Sequence, residues 1–117
     1  MKSYCLVFKI KPEFQDNHPH SVAGAYAAVY VFCNTKKEAK TMAINHLNQH
    51  GWEVLTTETV CEMTPKLLAL LNETQAKGYQ EAKTTGISFV ILDAWPKFLD
   101  HIFSSSHPSS NLNKKDL

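Results

Sequence analysis

Cysteine, glycine and any excess of one charge are scarce in this chain of 117 residues, and each shortage excludes something. The three cysteines, Cys5, Cys33 and Cys61, form no CxxC pair. So sparse and odd a set argues against a disulfide framework and a structural zinc ribbon. All three fall on expected strands and read as buried, unreactive thiols. Twelve basic and eleven acidic side chains leave a formal net charge of +1. That balance lacks the basic footprint of a nucleic-acid binder and the acidic excess of a solvating tail. No apolar run approaches the ~20 residues of a membrane span. The apolar start from Cys5 to Phe8 is short for a signal-peptide core, and Lys9 and Lys11 interrupt it, so a cytoplasmic location is expected. There is no nucleophile elbow, glycine-rich phosphate loop, Walker motif or pair of catalytic carboxylates. The sequence assigns no catalytic residue and no cofactor.

What is present is ordinary globular material, 44% hydrophobic and 20% charged. A chain of this length forms one domain that buries about 65% of its unfolded surface. Tyr4, Leu6, Phe8 and Ile10 alternate with their neighbours, a period-two strand over Ser3–Lys11 that Pro12 ends. Asp16, Asn17, His18, Pro19, His20 and Gly24 give loop chemistry. Ala25–Cys33 is nearly all apolar and reads as a strand covered on both faces. Thr35 with Glu38 forms a capping box ahead of Ala39, Met42, Ala43 and Leu47 at helical spacing, and Gly51 suits the left-handed position after the helix. Trp52–Cys61 carries threonines and glutamates, which fits an edge or half-exposed strand. Thr64-Pro65 starts a short helix to Leu71, and a second helix runs over Gln75–Thr85, weakened by Gly78 and ended by Gly86. Ile87–Trp95 reads as a buried strand closed by Pro96. The expected domain is 1–103, with a mobile Ser/Asn/Lys-rich tail over 104–117.

This order, β-β-α-β-α-β, predicts an α+β two-layer sandwich related to the ferredoxin-like topology. A four-stranded, mainly antiparallel sheet carries helices on one face. The second face is then a problem. Tyr26, Tyr30 and Phe32 lie opposite Ala27, Val29 and Val31, so both faces are apolar at the sheet centre. A monomer rarely leaves several hundred Å² of contiguous apolar surface in water. A second copy, another protein, a small-molecule ligand or the segment 97–103 folding back would cover it. The functional expectation is a non-enzymatic interaction module, a homodimer or a binder of another protein, acting through its sheet face or edge strand. The alternative is a small enzyme or small-molecule-binding protein that uses the same face as a pocket.

Six histidines make this the one enriched reactive type. His46 and His50 share a helix face, but Leu47 stands where a zinc-binding HExxH motif needs glutamate, so the pair reads as structural and no metal site is expected. His18 and His20 lie in the loop with Asp16, and Asp93 with Trp95 ends the last strand. His18, His20, Asp93 and Trp95, with Tyr26, Tyr30 and Phe32, form the candidate ligand or partner surface.

Two stretches carry a resemblance. One runs from Lys37-Glu38-Ala39 to Gly51-Trp52-Glu53-Val54. The other runs from Tyr79-Gln80-Glu81-Ala82 through Gly86 to Trp95-Pro96. In this order they resemble a group of small uncharacterised bacterial α+β proteins. The resemblance spans about residues 25–96 and implies a shared fold, with no catalytic residue carried over.

Overall fold

The computed structural model describes residues 1–13 and 25–92. Strand β1 (Lys2–Pro12) pairs antiparallel with β2 (Ala25–Cys33), so the first two strands neighbour each other as expected. Helix α1 (Lys36–Gln49) follows. Its Thr35 cap accepts a hydrogen bond from the Glu38 amide at 3.1 Å, and the Glu38 carboxylate accepts one from the Asn34 amide at 3.2 Å. Gly51 turns the chain with φ +85°, a conformation that disfavours any Cβ. Strand β3 (Trp52–Glu62) pairs antiparallel with the other side of β1. A short helix α2 (Pro65–Ala69) begins at Thr64, and α3 (Glu73–Thr85) begins at the reciprocal capping box of Asn72 and Gln75. Gly86, at φ +98°, ends α3 and leads into β4 (Ile87–Leu92). β4 pairs antiparallel with β2, which gives the sheet order β3-β1-β2-β4.

The fold is α+β, and the described residues form a four-stranded antiparallel sheet with three helices. Two core clusters show how the helices are placed. Leu6, Phe8, Ile10, Val29 and Val31 pack with Ala39, Ala43 and Leu47 of α1. On the opposite side of the same strands, Cys5, Val7, Ala28 and Tyr30 pack with Met63, Tyr79 and Ala82, and Leu67, Leu68 and Leu71 close around them. The expectation of helices on one face is therefore corrected: α1 covers one face, and α2 with α3 cover part of the other.

Strand direction explains the difference. β2 and β3 both run antiparallel to β1, so they are parallel to each other, and α1 is the crossover between them. β3 and β4 run antiparallel at opposite edges, so the handedness rule for parallel crossovers does not bind the connection that carries α2 and α3. That connection is free to return across the second apolar face, and burial of that face favours it.

Candidate functional site

The expected surface divides into three outcomes. Tyr30 is 0% exposed. Its ring meets Tyr79 of α3 edge-on at 5.9 Å, and the Tyr79 hydroxyl lies 3.1 Å from Ser3 Oγ. The open face expected around Tyr30 is closed from within the chain, which corrects its role as a wet or partner-covered anchor. Tyr26 and Phe32 are half-buried against the same cluster, and Phe32 stacks at a tilt on Tyr79 at 5.3 Å. His18, His20, Asp93 and Trp95 lie outside the described residues, as do the expected domain boundary at 103 and the tail.

With both faces carrying helices, the edges of the sheet become the informative surfaces. Among the described residues β3 and β4 are those edges. β3 carries Glu53, Glu58 and Glu62, and its pairing with β1 has register shifts after Val7 and after Lys9. Charge and bulging are the usual protections of an open edge. β4 has neither: Ile-Ser-Phe-Val-Ile-Leu holds no charged residue, and its register with β2 is regular. The sequence placed β4 as a buried strand, and its edge position is a correction.

The hydrogen-bond alternation shows which β4 groups point outward. The Phe32 amide donates to the Gly86 carbonyl at 3.0 Å, so Gly86 and every second residue after it, Ser88, Val90 and Leu92, bond inward to β2. Ile87, Phe89 and Ile91 then present their amides and carbonyls to the outer edge. The Thr85 hydroxyl fits this geometry by donating to the Ile87 carbonyl at 2.9 Å. Ile91 is 39% exposed, high for a large apolar side chain.

An open cleft of about 410 Å³ straddles this edge. His46 and His50 line it from α1, Glu81 and Thr85 from α3, and Ile87, Ser88 and Phe89 from the strand between them. The two imidazoles lie 4.5 Å apart, and each meets the Phe89 ring edge-on, at 5.6 Å for His46 and 5.3 Å for His50. His50 Nδ1 donates to the His46 carbonyl at 2.8 Å, which leaves Nε2 for other partners. Burial holds His46 below its ordinary value and the neighbouring His50 lowers it further, while Glu81 opposes both. The arrangement offers hydrogen-bonding nitrogens beside an aromatic ring and the outward backbone groups of an edge strand. Among the described residues, no group of three or more His, Cys, Asp or Glu side chains is placed to hold a metal ion.

The sequence shows His46 and His50 as a structural pair and Phe89 and Ile91 as part of an apolar strand row, and it singles out neither pair as a site. The contrast that finds them, three glutamates in one edge strand and no charge within Ile87–Leu92 of the other, is in the sequence. It has meaning only once both strands are known to be edges. Among the described residues no helix is long and apolar enough to cross a membrane. No protein-family model matches the chain, and comparisons with characterised proteins and with solved structures find no significant similarity.

Proposed function

We propose that the chain is a non-enzymatic interaction module that pairs through the outer edge of β4, and that its partner is a second copy of itself. The observation that carries this reading is the asymmetry of the two edges. β3 is charged and bulged, while β4 is regular, uncharged and apolar. An unprotected edge of that composition invites strand addition.

The sequence of β4 suits its own copy. Ile87, Phe89 and Ile91 are evenly spaced about Phe89. A twofold axis there sets Phe89 opposite its counterpart and Ile87 opposite Ile91 of the other copy. Every outward amide then meets an outward carbonyl, and the isologous contact closes on itself without leaving a new free edge. The Ile87 carbonyl has two lone pairs, so its bond from Thr85 does not exclude a second donor. The exposed part of Ile91 is removed from water in the same step.

Sedimentation equilibrium on the parent and on Ile91→Lys tests this. The parent is expected to be a dimer and the variant a monomer with unchanged far-ultraviolet circular dichroism. A parent that is monomeric at every concentration overturns the proposal, as does a variant that remains dimeric.

The cleft supports a second reading. Its volume falls within the ~300–1,000 Å³ of small-molecule sites, and His46 and His50 offer polar groups beside the apolar wall of Phe89 and Ile87. On that reading, native mass spectrometry finds a retained small molecule on the parent. The His46→Ala,His50→Ala double variant loses it without any change of oligomeric state.

A further inference from the structure

Cys5 of β1 and Cys61 of β3 stand directly opposite each other. The Met63 amide donates to the Ser3 carbonyl at 2.8 Å, two residues beyond the pair on each strand. Alternation makes Cys5 and Cys61 a hydrogen-bonded pair as well, and such pairs hold their Cα atoms ~5.5 Å apart. Disulfides bridge Cα atoms at ~4.4–6.8 Å. Both side chains lie on the sheet face that α2 and α3 help to cover. The Cys61 thiol donates to the Cys5 carbonyl at 3.7 Å, which holds the Cys61 side chain against its partner residue. The third cysteine, Cys33, sits on the opposite face, buried in the α1 cluster.

Access differs within the pair. Cys5 is 0% exposed, whereas Cys61 is half-buried. A small oxidant reaches the second and not the first. This unequal exposure, in two directly paired cysteines on one sheet face, is the arrangement of an attacking thiol and its resolving partner. Of the three thiols expected to be buried, Cys5 and Cys33 are, and Cys61 is only half-buried.

We propose that Cys5 and Cys61 form a peroxide-oxidisable dithiol, with Cys61 as the reacting thiol and Cys5 as the residue that resolves it into a disulfide between β1 and β3. The Cys61 thiolate attacks one oxygen of a hydroperoxide. The O–O bond breaks, and the leaving oxygen departs as hydroxide or alkoxide and takes a proton. Cys61 is left as a sulfenic acid. Cys5 then gives up its proton, and its sulfur attacks Cys61 Sγ. The S–O bond breaks, and the hydroxyl leaves as water with that proton. Two thiols lose two electrons in all, and the peroxide gains them. The electrostatics favour this assignment of roles. A hydrogen bond from Cys5 lowers the Cys61 thiol despite its burial, and Lys36 adds to the lowering. The same contact and complete burial push Cys5 up.

The inference is independent of strand pairing at β4. Its test is hydrogen peroxide added to the reduced full-length chain, followed by thiol counting and peptide mapping. The expected result is loss of two of the three thiols, a peptide pair linked through Cys5 and Cys61, and full recovery with dithiothreitol. Cys5→Ser should stop at a sulfenic acid on Cys61 that dimedone traps, and Cys61→Ser should protect Cys5. Three thiols surviving peroxide in the folded chain overturn the proposal. So does consumption of Cys33 ahead of Cys61, or a cross-link between copies in place of the internal one. If Cys5→Ser does not fold, the peptide map of the parent decides the matter alone.

Discussion

Gly78 sets how closely α3 lies on the sheet. A Cβ at this position would fall 2.5 Å from Val90 Cγ2 and 3.5 Å from Tyr30 Cε2. Val90 is β-branched and stiff about χ1, so it cannot swing aside. Helix propensity alone would make Gly78→Ala stabilising by about 1 kcal/mol. Overpacking of this kind costs ~1–3 kcal/mol, so the net expectation is a loss of about 1 kcal/mol, read as a lower midpoint in urea unfolding. The sequence shows this glycine only as a weak point in a helix, and the contact beneath it supplies the reason for it. Tyr30, its neighbour, makes the opposite case. Its hydroxyl is buried with no hydrogen-bond partner among the described residues, and burial pushes its titration far up. Tyr30→Phe removes an unsatisfied polar atom and keeps the ring against Tyr79. Stability should be unchanged or higher by up to ~1 kcal/mol. A clear loss in thermal unfolding would show that the hydroxyl is paired after all.

At the scale of elements, the punctuation was legible and the edges were half legible. Thr35, Thr64 and Asn72 cap the three helices, and Gly51 and Gly86 take the left-handed turns, because caps and turns depend on chemistry within a few residues. β3 also read correctly, since its threonines and glutamates report a half-wet strand. β4 misled. A continuous apolar run reports that both faces of a strand are covered, and both are, by α1 on one side and α3 on the other. Side-chain hydropathy says nothing about the backbone edge, which β4 leaves open among the described residues. The contact of α1 with this strand has its own titration. His46 faces His50 on its own helix, Phe89 of β4 and the Glu81 carboxylate of α3. Its folded value lies below 6.5, so between the two values the folded chain binds fewer protons than the unfolded one. Stability therefore rises with pH through that window and is lost as the pH falls below about 6.5. His46→Gln should flatten that part of the melting temperature against pH. An unchanged slope would mean that other groups carry it.

At the scale of the whole molecule, the sequence showed that both sheet faces are apolar at the centre. It did not show that one chain covers both. Strand order decides this. β3 and β4 occupy opposite edges, so the segment joining them must cross the sheet, and it carries α2 and α3 over the second face as it does so. Strand order depends on pairings between residues far apart in the chain, which local pattern does not encode. Tyr26, Tyr30 and Phe32 do lie in one apolar row, with Tyr30 buried beneath Tyr79 and Tyr26 and Phe32 half-buried beside it. Once that face is closed, the account turns on the outer edge of β4. Amide hydrogen exchange followed by NMR measures it residue by residue. If two copies pair there, the outward amides of Phe89 and Ile91 should exchange as slowly as the inward amides of Ser88 and Val90. Their protection should weaken on dilution and vanish in Ile91→Lys. Fast exchange of Phe89 and Ile91 at every concentration would contradict the account, and so would protection that dilution leaves untouched.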